Sequence, residues 1–95
     1  MAFRVLVDED ACAFLHSLDP KSQRIIMNYI DTLKENPYPG TGGKERLRTG
    51  KNRIIYRMHI ARSFTAIYTI DPHDDIVHII QILTIERAHR RYGRM

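Results

Sequence analysis

Hydrophobic and polar positions in the first forty residues follow two different periods. Residues 3 to 7 alternate between apolar and polar side chains, as in a short strand, and run into an acidic helix start. Apolar residues then recur at helical spacing over 9 to 18 and over 20 to 35, where Asp19-Pro20 supplies a cap and a first-turn proline. We therefore expect one strand followed by an αα-hairpin.

Beyond a loop rich in proline and glycine, residues 38 to 43, the period changes to two. Residues 54 to 60 and 64 to 70 alternate, and a short turn at 61 to 63 separates them. A third run, from 76 to about 84, is apolar almost throughout, which favours a central position in a sheet. The order of elements predicts an α+β fold in a single domain, 1–95. An N-terminal strand and a two-helix hairpin would pack on an antiparallel β-sheet, with a short C-terminal helix or tail.

Pairing across the turn at 61 to 63 decides which side chains share a face of the sheet. A tight hairpin sets Ile60 opposite Phe64 and Met58 opposite Ala66, and the face with these residues would pack on the helices, with Tyr56 and Tyr68 in the core. The other face is predicted to be a polar surface carrying cations, and residues 86 to 92 could close over its edge. Its side chains include Arg57, His59, Thr65 and Thr69.

Charge is distributed unevenly along the chain. Residues 1 to 40 carry four basic and six acidic side chains, whereas 41 to 95 carry eleven and five. Eleven of the fifteen cations are arginine, whose planar guanidinium suits phosphate and never loses its charge. A nucleic acid is therefore the first partner to consider, and a well-solvated basic surface is the alternative.

Several protein classes are excluded or disfavoured by what the sequence lacks. The single cysteine, Cys12, rules out an internal disulfide and a cysteine-based zinc site. The histidines His16, His73 and His78 show no zinc-ligand spacing, so we predict neither a metal nor a cofactor. No apolar run approaches the roughly 20 residues that span a bilayer, and no secretory signal is visible at the N-terminus. We expect a cytoplasmic protein that does not enter membranes.

Motifs along nearly the whole chain resemble those of RelE/ParE-family toxins from toxin–antitoxin pairs. Leu47-Arg48-Thr49-Gly50 is similar to the family's Leu-x-Gly stretch, and residues 56 to 60 are similar to its Tyr-x-(Ile/Val)-(Lys/Arg) strand. Residues 64 to 68 resemble the family's next strand, although Thr65 stands where that strand usually has arginine. His89-Arg90-Arg91-Tyr92 resembles the terminal His-Arg-x-x-x-Tyr signature with a shifted spacing.

This resemblance implies a function as well as a fold. RelE-like members cleave messenger RNA on the ribosome without a metal, and ParE-like members inhibit DNA gyrase. Either kind is neutralised by a cognate antitoxin, which we expect to be a small acidic helical chain. Our first hypothesis is therefore a ribosome-dependent mRNA endoribonuclease that inhibits translation. The alternatives are a ParE-like gyrase inhibitor and a catalytically weakened toxin that acts by protein binding.

The resemblance also suggests which residues act on RNA. His59 is the group on its strand that titrates near neutrality, so it is the candidate base. Arg90 is the candidate acid or transition-state clamp, with Arg87 as the other possibility, and Tyr92 is suited to stack on a base. The predicted catalytic set is His59, Arg57, Arg90 and Tyr92. The predicted RNA or phosphate contacts are Arg48, Lys51, Arg53, Arg87 and Arg91.

Overall fold

The computed structural model describes residues 2–40, 43–48 and 54–93, and the backbone alone at Arg48. Lys51 and Arg53 lie outside the described residues. Along this part of the chain the strands are β1 (Arg4–Val7), β2 (Lys44–Arg48), β3 (Ile54–Ile60), β4 (Phe64–Asp71) and β5 (Ile76–Thr84). The helices are α1 (Glu9–His16), α2 (Pro20–Thr32) and α3 (Ile85–Tyr92). The predicted α+β class and order of elements are confirmed.

The strands form one sheet in the order β1-β5-β4-β3-β2. Strands β3, β4 and β5 are antiparallel neighbours, as predicted, and the additional strand β2 pairs antiparallel with β3, whereas β1 lies parallel to β5 and makes the sheet mixed. Strand β5 has neighbours on both sides, which explains its continuous apolar sequence. The predicted hairpin register is confirmed, with Met58 opposite Ala66 and Ile60 opposite Phe64.

Both helices of the hairpin end before the sequence pattern does. Helix α2 ends at Thr32, and Leu33, Lys34 and Glu35 each donate a backbone N–H to the carbonyl three residues earlier. These bonds form a tighter 3₁₀-type turn that finishes the helix. Leu33 is nevertheless fully buried, so the apolar stripe continues past the last α-helical residue.

The main core lies between the helical hairpin and one face of the sheet. Tyr68 is fully buried there, stacks on Tyr56 with ring centroids 5.5 Å apart, and donates its hydroxyl to the Pro37 carbonyl at 2.7 Å. Burial, with Tyr56 beside it, raises the pKa of Tyr68, so the phenol stays protonated. The buried members of this core are Ala11, Leu15, Ile26, Ile30, Leu33, Met58, Ile60, Ala66, Tyr68, Val77, Ile79 and Ile82.

The opposite face of the sheet carries a second, smaller apolar cluster beneath α3. Ile55 and Ile67 alternate with the helix-facing residues of β3 and β4, and they pack with Leu83 and Ala88. The prediction that this face is a polar surface carrying cations was therefore wrong in part, because isoleucines share the face with Arg57 and His59 and because Arg57 is buried. Helix α3 covers this cluster and part of the polar side chains beside it, which include Arg57 and His59. None of the described helices is long and apolar enough to cross a membrane.

Replacing Ile26 with valine is expected to lower the free energy of unfolding by about 1 kcal/mol. Ile26 has no exposed surface, so the lost methyl group leaves a gap in the main core. The same change at Ile54, which is 44% exposed, should have little effect. Urea unfolding of both variants checks this, and equal losses would contradict the assignment of the core.

Candidate functional site

Helix α3 holds most of the predicted C-terminal site residues and is fixed to the sheet at few points. Thr84 caps its N-terminus, with the hydroxyl accepting from the Arg87 backbone N–H at 3.3 Å. Ala88 is its buried residue, and the Tyr92 hydroxyl donates to Gln81 Oε1 at 2.6 Å. The helix therefore turns one side toward β3, β4 and β5 and the other toward solvent.

Arg57 lies beneath the end of α3 and is almost entirely buried. Its Nη2 donates to Glu45 Oε2 at 2.9 Å, and its Nη1 donates to the Gly93 carbonyl at 3.2 Å. Glu45 lies directly opposite Arg57 in the β2–β3 ladder, and its side chain is 46% exposed against 2% for Arg57. The structure thus pairs a buried arginine with a carboxylate that reaches water. The Arg57 Nε has no hydrogen-bond partner among the described residues.

His59, two residues along β3, shares this face with Arg57. Its side chain is half-buried, and its backbone N–H donates to the Gly43 carbonyl at 3.1 Å. Gly43 has φ +70°, and a Cβ on it would lie 3.3 Å from the His59 Cβ, so glycine allows the loop to approach this closely.

The surroundings of His59 favour its neutral form. Burial lowers the pKa of His59 below 6.5, and the positive charges of Arg57 and His89 lower it further, while Glu45 opposes them. His89, which acts on this pKa, belongs to α3, the helix that covers this face of the sheet. At neutral pH the imidazole is available to accept a proton.

Thr65 lies opposite His59 on the neighbouring strand β4. It is fully buried, and its Oγ1 lacks a hydrogen-bond partner in the described part of the chain. A buried hydroxyl without a partner is costly, so such groups call for an explanation. Two unpaired polar atoms, on Arg57 and Thr65, thus lie on the same face of adjacent strands.

An arginine-lined cleft forms a second part of the site, along α3 and beside the end of β5. Arg87, Arg90 and Arg91 are all exposed, and with Leu83 they line a cleft of about 280 Å³. The helical spacing of four and three residues places their guanidinium groups on one side of the helix. Within the described residues none of the three forms an ion pair. The cleft therefore concentrates positive charge that is available to an anion.

The predicted site residues fall into two groups. Arg57, His59 and Tyr92 lie beneath or at the end of α3, whereas Arg90 lies in the arginine-lined cleft with Arg87 and Arg91. Arg48 belongs to the edge strand β2, and for this one residue of the strand the structure describes only the backbone. Lys51 and Arg53 lie outside the described residues, so no contact is assigned to them.

Sequence reasoning missed three neighbours of this site. Glu45 pairs with Arg57, His89 lowers the pKa of His59, and Gln81 holds Tyr92. The alternation of Lys44–Arg48 with its single apolar residue Leu47 was a weak signal for β2, and this strand is what brings Glu45 to Arg57. The other two contacts depend on where α3 docks.

Comparisons with known proteins place this fold among toxin structures. Neither a protein-family model nor a curated protein matches the chain. RelE in the RelE–RelB complex of the archaeon Pyrococcus horikoshii superimposes with a TM-score of 0.75 at 22% identity, over 93% of this chain and 100% of that one. The RelBE2 toxin–antitoxin complex of Mycobacterium tuberculosis gives 0.74 at 18%, over 88% and 99%. YoeB of Staphylococcus aureus gives 0.66 at 18%, over 87% and 97%. The chain therefore has the fold of RelE-like toxins.

Proposed function

We propose that this protein is a RelE-like toxin, an endoribonuclease that cleaves mRNA on the ribosome and so inhibits translation. The observation that carries the proposal is that His59 and buried Arg57 share the face of β3 that α3 covers, and that α3 itself carries the exposed Arg87, Arg90 and Arg91. A base near neutrality and fixed cations are the groups that metal-independent RNA cleavage needs. The shared toxin fold supports the same reading.

In the proposed reaction the protein accepts one proton from the RNA and donates one proton to it. His59 accepts the proton of the 2′-hydroxyl, and the 2′-oxygen attacks the phosphorus to form a cyclic phosphate. The bond to the 5′-oxygen breaks, and that oxygen receives a proton from a general acid, for which Arg90 is our candidate. Arg57 stabilises the charge that develops on the phosphate oxygens, and Tyr92 stacks on a base. Flanking phosphates would lie against Arg87 and Arg91.

We also propose that an antitoxin neutralises the protein in the cytoplasm. Structures with this fold include complexes with RelB and YefM antitoxins. The exposed arginines of α3 call for an acidic partner, and a small acidic helical chain that orders on binding would complement them. Arg48, Lys51 and Arg53 remain predicted contacts for RNA or for that partner.

The test of this proposal is the fate of a message in a purified translation system. The folded protein is expected to cut mRNA when 70S ribosomes are present and to leave it intact when they are absent. In parallel, DNA gyrase is assayed for supercoiling. Uncut mRNA together with inhibited supercoiling would refute the nuclease and favour the gyrase-inhibitor alternative.

Removing the cations of the arginine-lined cleft is expected to weaken RNA binding and flatten its dependence on salt. Each lost phosphate contact should reduce the slope of log K against log salt by about 0.7 for single strands, or about 2 for the triple glutamine variant at Arg87, Arg90 and Arg91. Fluorescence anisotropy of a labelled single-stranded RNA measures this.

The control removes as many charges from the helical hairpin, at the exposed side chains of Lys21, Arg24 and Lys34. Its salt slope should stay close to that of the wild type. If the slope of log K against log salt falls by the same amount in the two triple variants, RNA binding depends on net charge, and the cleft is not the RNA-binding site.

A further inference from the structure

A second cavity lies between α1 and α3, beside the end of β5. Strand β1 ends at Val7, which pairs with Ile79, whereas β5 continues to Thr84. In the described sheet the last residues of β5 therefore pair with β4 alone, and the two helices flank the edge that β1 leaves uncovered. The resulting cavity has a volume of about 230 Å³.

The lining of this cavity combines apolar walls with a few polar side chains. Phe14 of α1 and the buried Ile82 and Leu83 of β5 supply the apolar surface. The polar side chains come one each from α1, β5 and α3, and they are Asp10, Gln81 and Arg87. An apolar lining with a few polar groups that fix orientation is typical of sites for small ring systems.

The two charged side chains of the cavity do not neutralise each other. Asp10 and Arg87 are both exposed, and among the described residues neither takes part in an ion pair. A carboxylate repels RNA phosphates, so attraction of phosphate does not account for Asp10 beside the arginine-lined cleft. A ligand that complements both charges has N–H donors on one edge for the carboxylate and acceptors on the next edge for the guanidinium.

Guanine is the RNA base with this arrangement. Its N1–H and N2–H are adjacent donors that match the two oxygens of a carboxylate, and its O6 and N7 are adjacent acceptors that arginine binds with two N–H groups. Adenine carries its single amino group between two ring acceptors. It therefore offers a carboxylate one donor where guanine offers two.

The cavity adjoins the groups that already have a role in the proposed function. It shares Leu83 and Arg87 with the arginine-lined cleft, so a nucleotide with its base in the cavity has its phosphates within reach of the cleft. Arginine has enough N–H donors to bind a base and a phosphate together. Gln81, which holds Tyr92, also lines the cavity, so α3 binds RNA in the position that it has in the free protein.

We propose that the cavity between α1 and α3 is a guanine subsite for the RNA held in the arginine-lined cleft. The Asp10 carboxylate accepts from N1–H and N2–H, Arg87 donates to O6 and N7, and the ring lies against Phe14 and Leu83. This inference rests on the proposed function, since it takes RNA as the ligand. It gives the toxin a preference for one base beside its phosphate contacts.

The test uses labelled pentanucleotides of uridine with one central purine, 2′-O-methylated throughout so that no 2′-hydroxyl can attack. Fluorescence anisotropy should show about tenfold tighter binding with central guanine than with adenine. Inosine, which lacks the N2 amino group, and 7-deazaguanine, which lacks N7, should each bind about threefold more weakly than guanine. Equal binding of guanine and adenine would overturn the subsite.

Two variants assign the contacts to their residues. Asp10→Asn should abolish the difference between guanine and inosine and keep the difference between guanine and 7-deazaguanine, and Arg87→Gln should do the reverse. Glu9→Gln is the matched control, because Glu9 lies next to Asp10 in the first turn of α1 and does not line the cavity. Both α1 variants remove one negative charge, yet Glu9→Gln should keep every base ratio. If Asp10→Asn also keeps them, Asp10 does not read the base.

Free guanosine monophosphate distinguishes RNA from a free nucleotide as the ligand. It should compete with the labelled pentanucleotide more weakly than the unlabelled pentanucleotide does, because it lacks the flanking phosphates. Competition at the same concentration would overturn RNA as the ligand.

These outcomes are separable from failure of the proposed function, because the binding assays contain no ribosomes. If the base preferences hold and ribosome-dependent cleavage is absent, the guanine subsite stands and the nuclease is wrong. If cleavage occurs and the wild type binds guanine and adenine equally, the nuclease stands and the subsite is wrong.

Discussion

His59→Ala is expected to reduce single-turnover mRNA cleavage on programmed ribosomes by at least about 100-fold. A positioned general base contributes about 10²- to 10⁴-fold, and His59 is the side chain on β3 whose neutral form is favoured by burial and by Arg57 and His89. The His59 side chain is half-buried beside the polar side chains of Arg57 and Thr65, so the His59→Ala variant should remain folded. Circular dichroism and equal folded concentrations allow the rates to be compared.

The pH dependence of the same cleavage reaction tests the direction in which the pKa of His59 is shifted. Because its folded pKa is lowered from 6.5, the acidic limb of the rate profile should have its midpoint below 6.5. His89→Ala removes a positive charge that lowers this pKa, so the midpoint should move upward. The exposed His73 in the β4–β5 turn is the control, and His73→Ala should keep both rate and profile. An unchanged rate in His59→Ala would refute its role as base.

The same shift has a consequence for stability. The unfolded chain binds a proton at His59 more tightly than the folded protein does, so folding favours the neutral imidazole. This contribution is complete above about pH 6.5 and is lost as the pH falls below that value toward the folded pKa.

Glu45→Gln is expected to lower the free energy of unfolding by about 3 kcal/mol. The substitution removes the charge that compensates Arg57, whose side chain is 2% exposed, and a buried charge without its partner costs about 3–5 kcal/mol. The expected loss lies at the low end because Glu45 is itself half-exposed and the Gly93 carbonyl stays on Arg57. Urea unfolding monitored by circular dichroism measures it.

Two further variants separate this ion pair from general charge effects. Glu86→Gln removes an exposed carboxylate in the first turn of α3 and should change stability little. The double variant Glu45→Leu with Arg57→Leu should recover most of the stability lost in Glu45→Gln, because no buried charge remains. If Glu45→Gln is as stable as Glu86→Gln, the buried pair does not contribute to folding as argued.

The elements with regular apolar periods could be predicted from the sequence. The helical stripes of α1 and α2 and the alternation in β3 and β4 give both the elements and the faces they bury, and the Ala61–Ser63 turn is short enough to fix the hairpin register. Strand β2 was not predicted, because four of its five residues are charged. The parallel direction of β1 could not be predicted either, because the sequence of a four-residue strand does not reveal which strand it pairs with.

The candidate site was predictable in part, for a physical reason. The hairpin register placed Arg57, His59 and Thr65 on one face, whereas the grouping of Arg87, Arg90 and Arg91 on one side of a helix emerged only with the structure of α3. Contacts between residues distant in sequence could not be derived. The Arg57–Gly93 hydrogen bond joins residues 36 apart, and it exists because Ala88 lets α3 pack closely on the sheet. The burial of Arg57 follows from that docking and not from any local pattern.

Primer extension on a message programmed into 70S ribosomes tests the central claim most directly. Wild-type protein is compared with His59→Ala and Arg90→Ala at equal folded concentration. The proposed function predicts a cut in the codon of the ribosomal A site with the wild type and loss of that cut in both variants. An uncut message with folded wild-type protein, on ribosomes that otherwise translate normally, would contradict it.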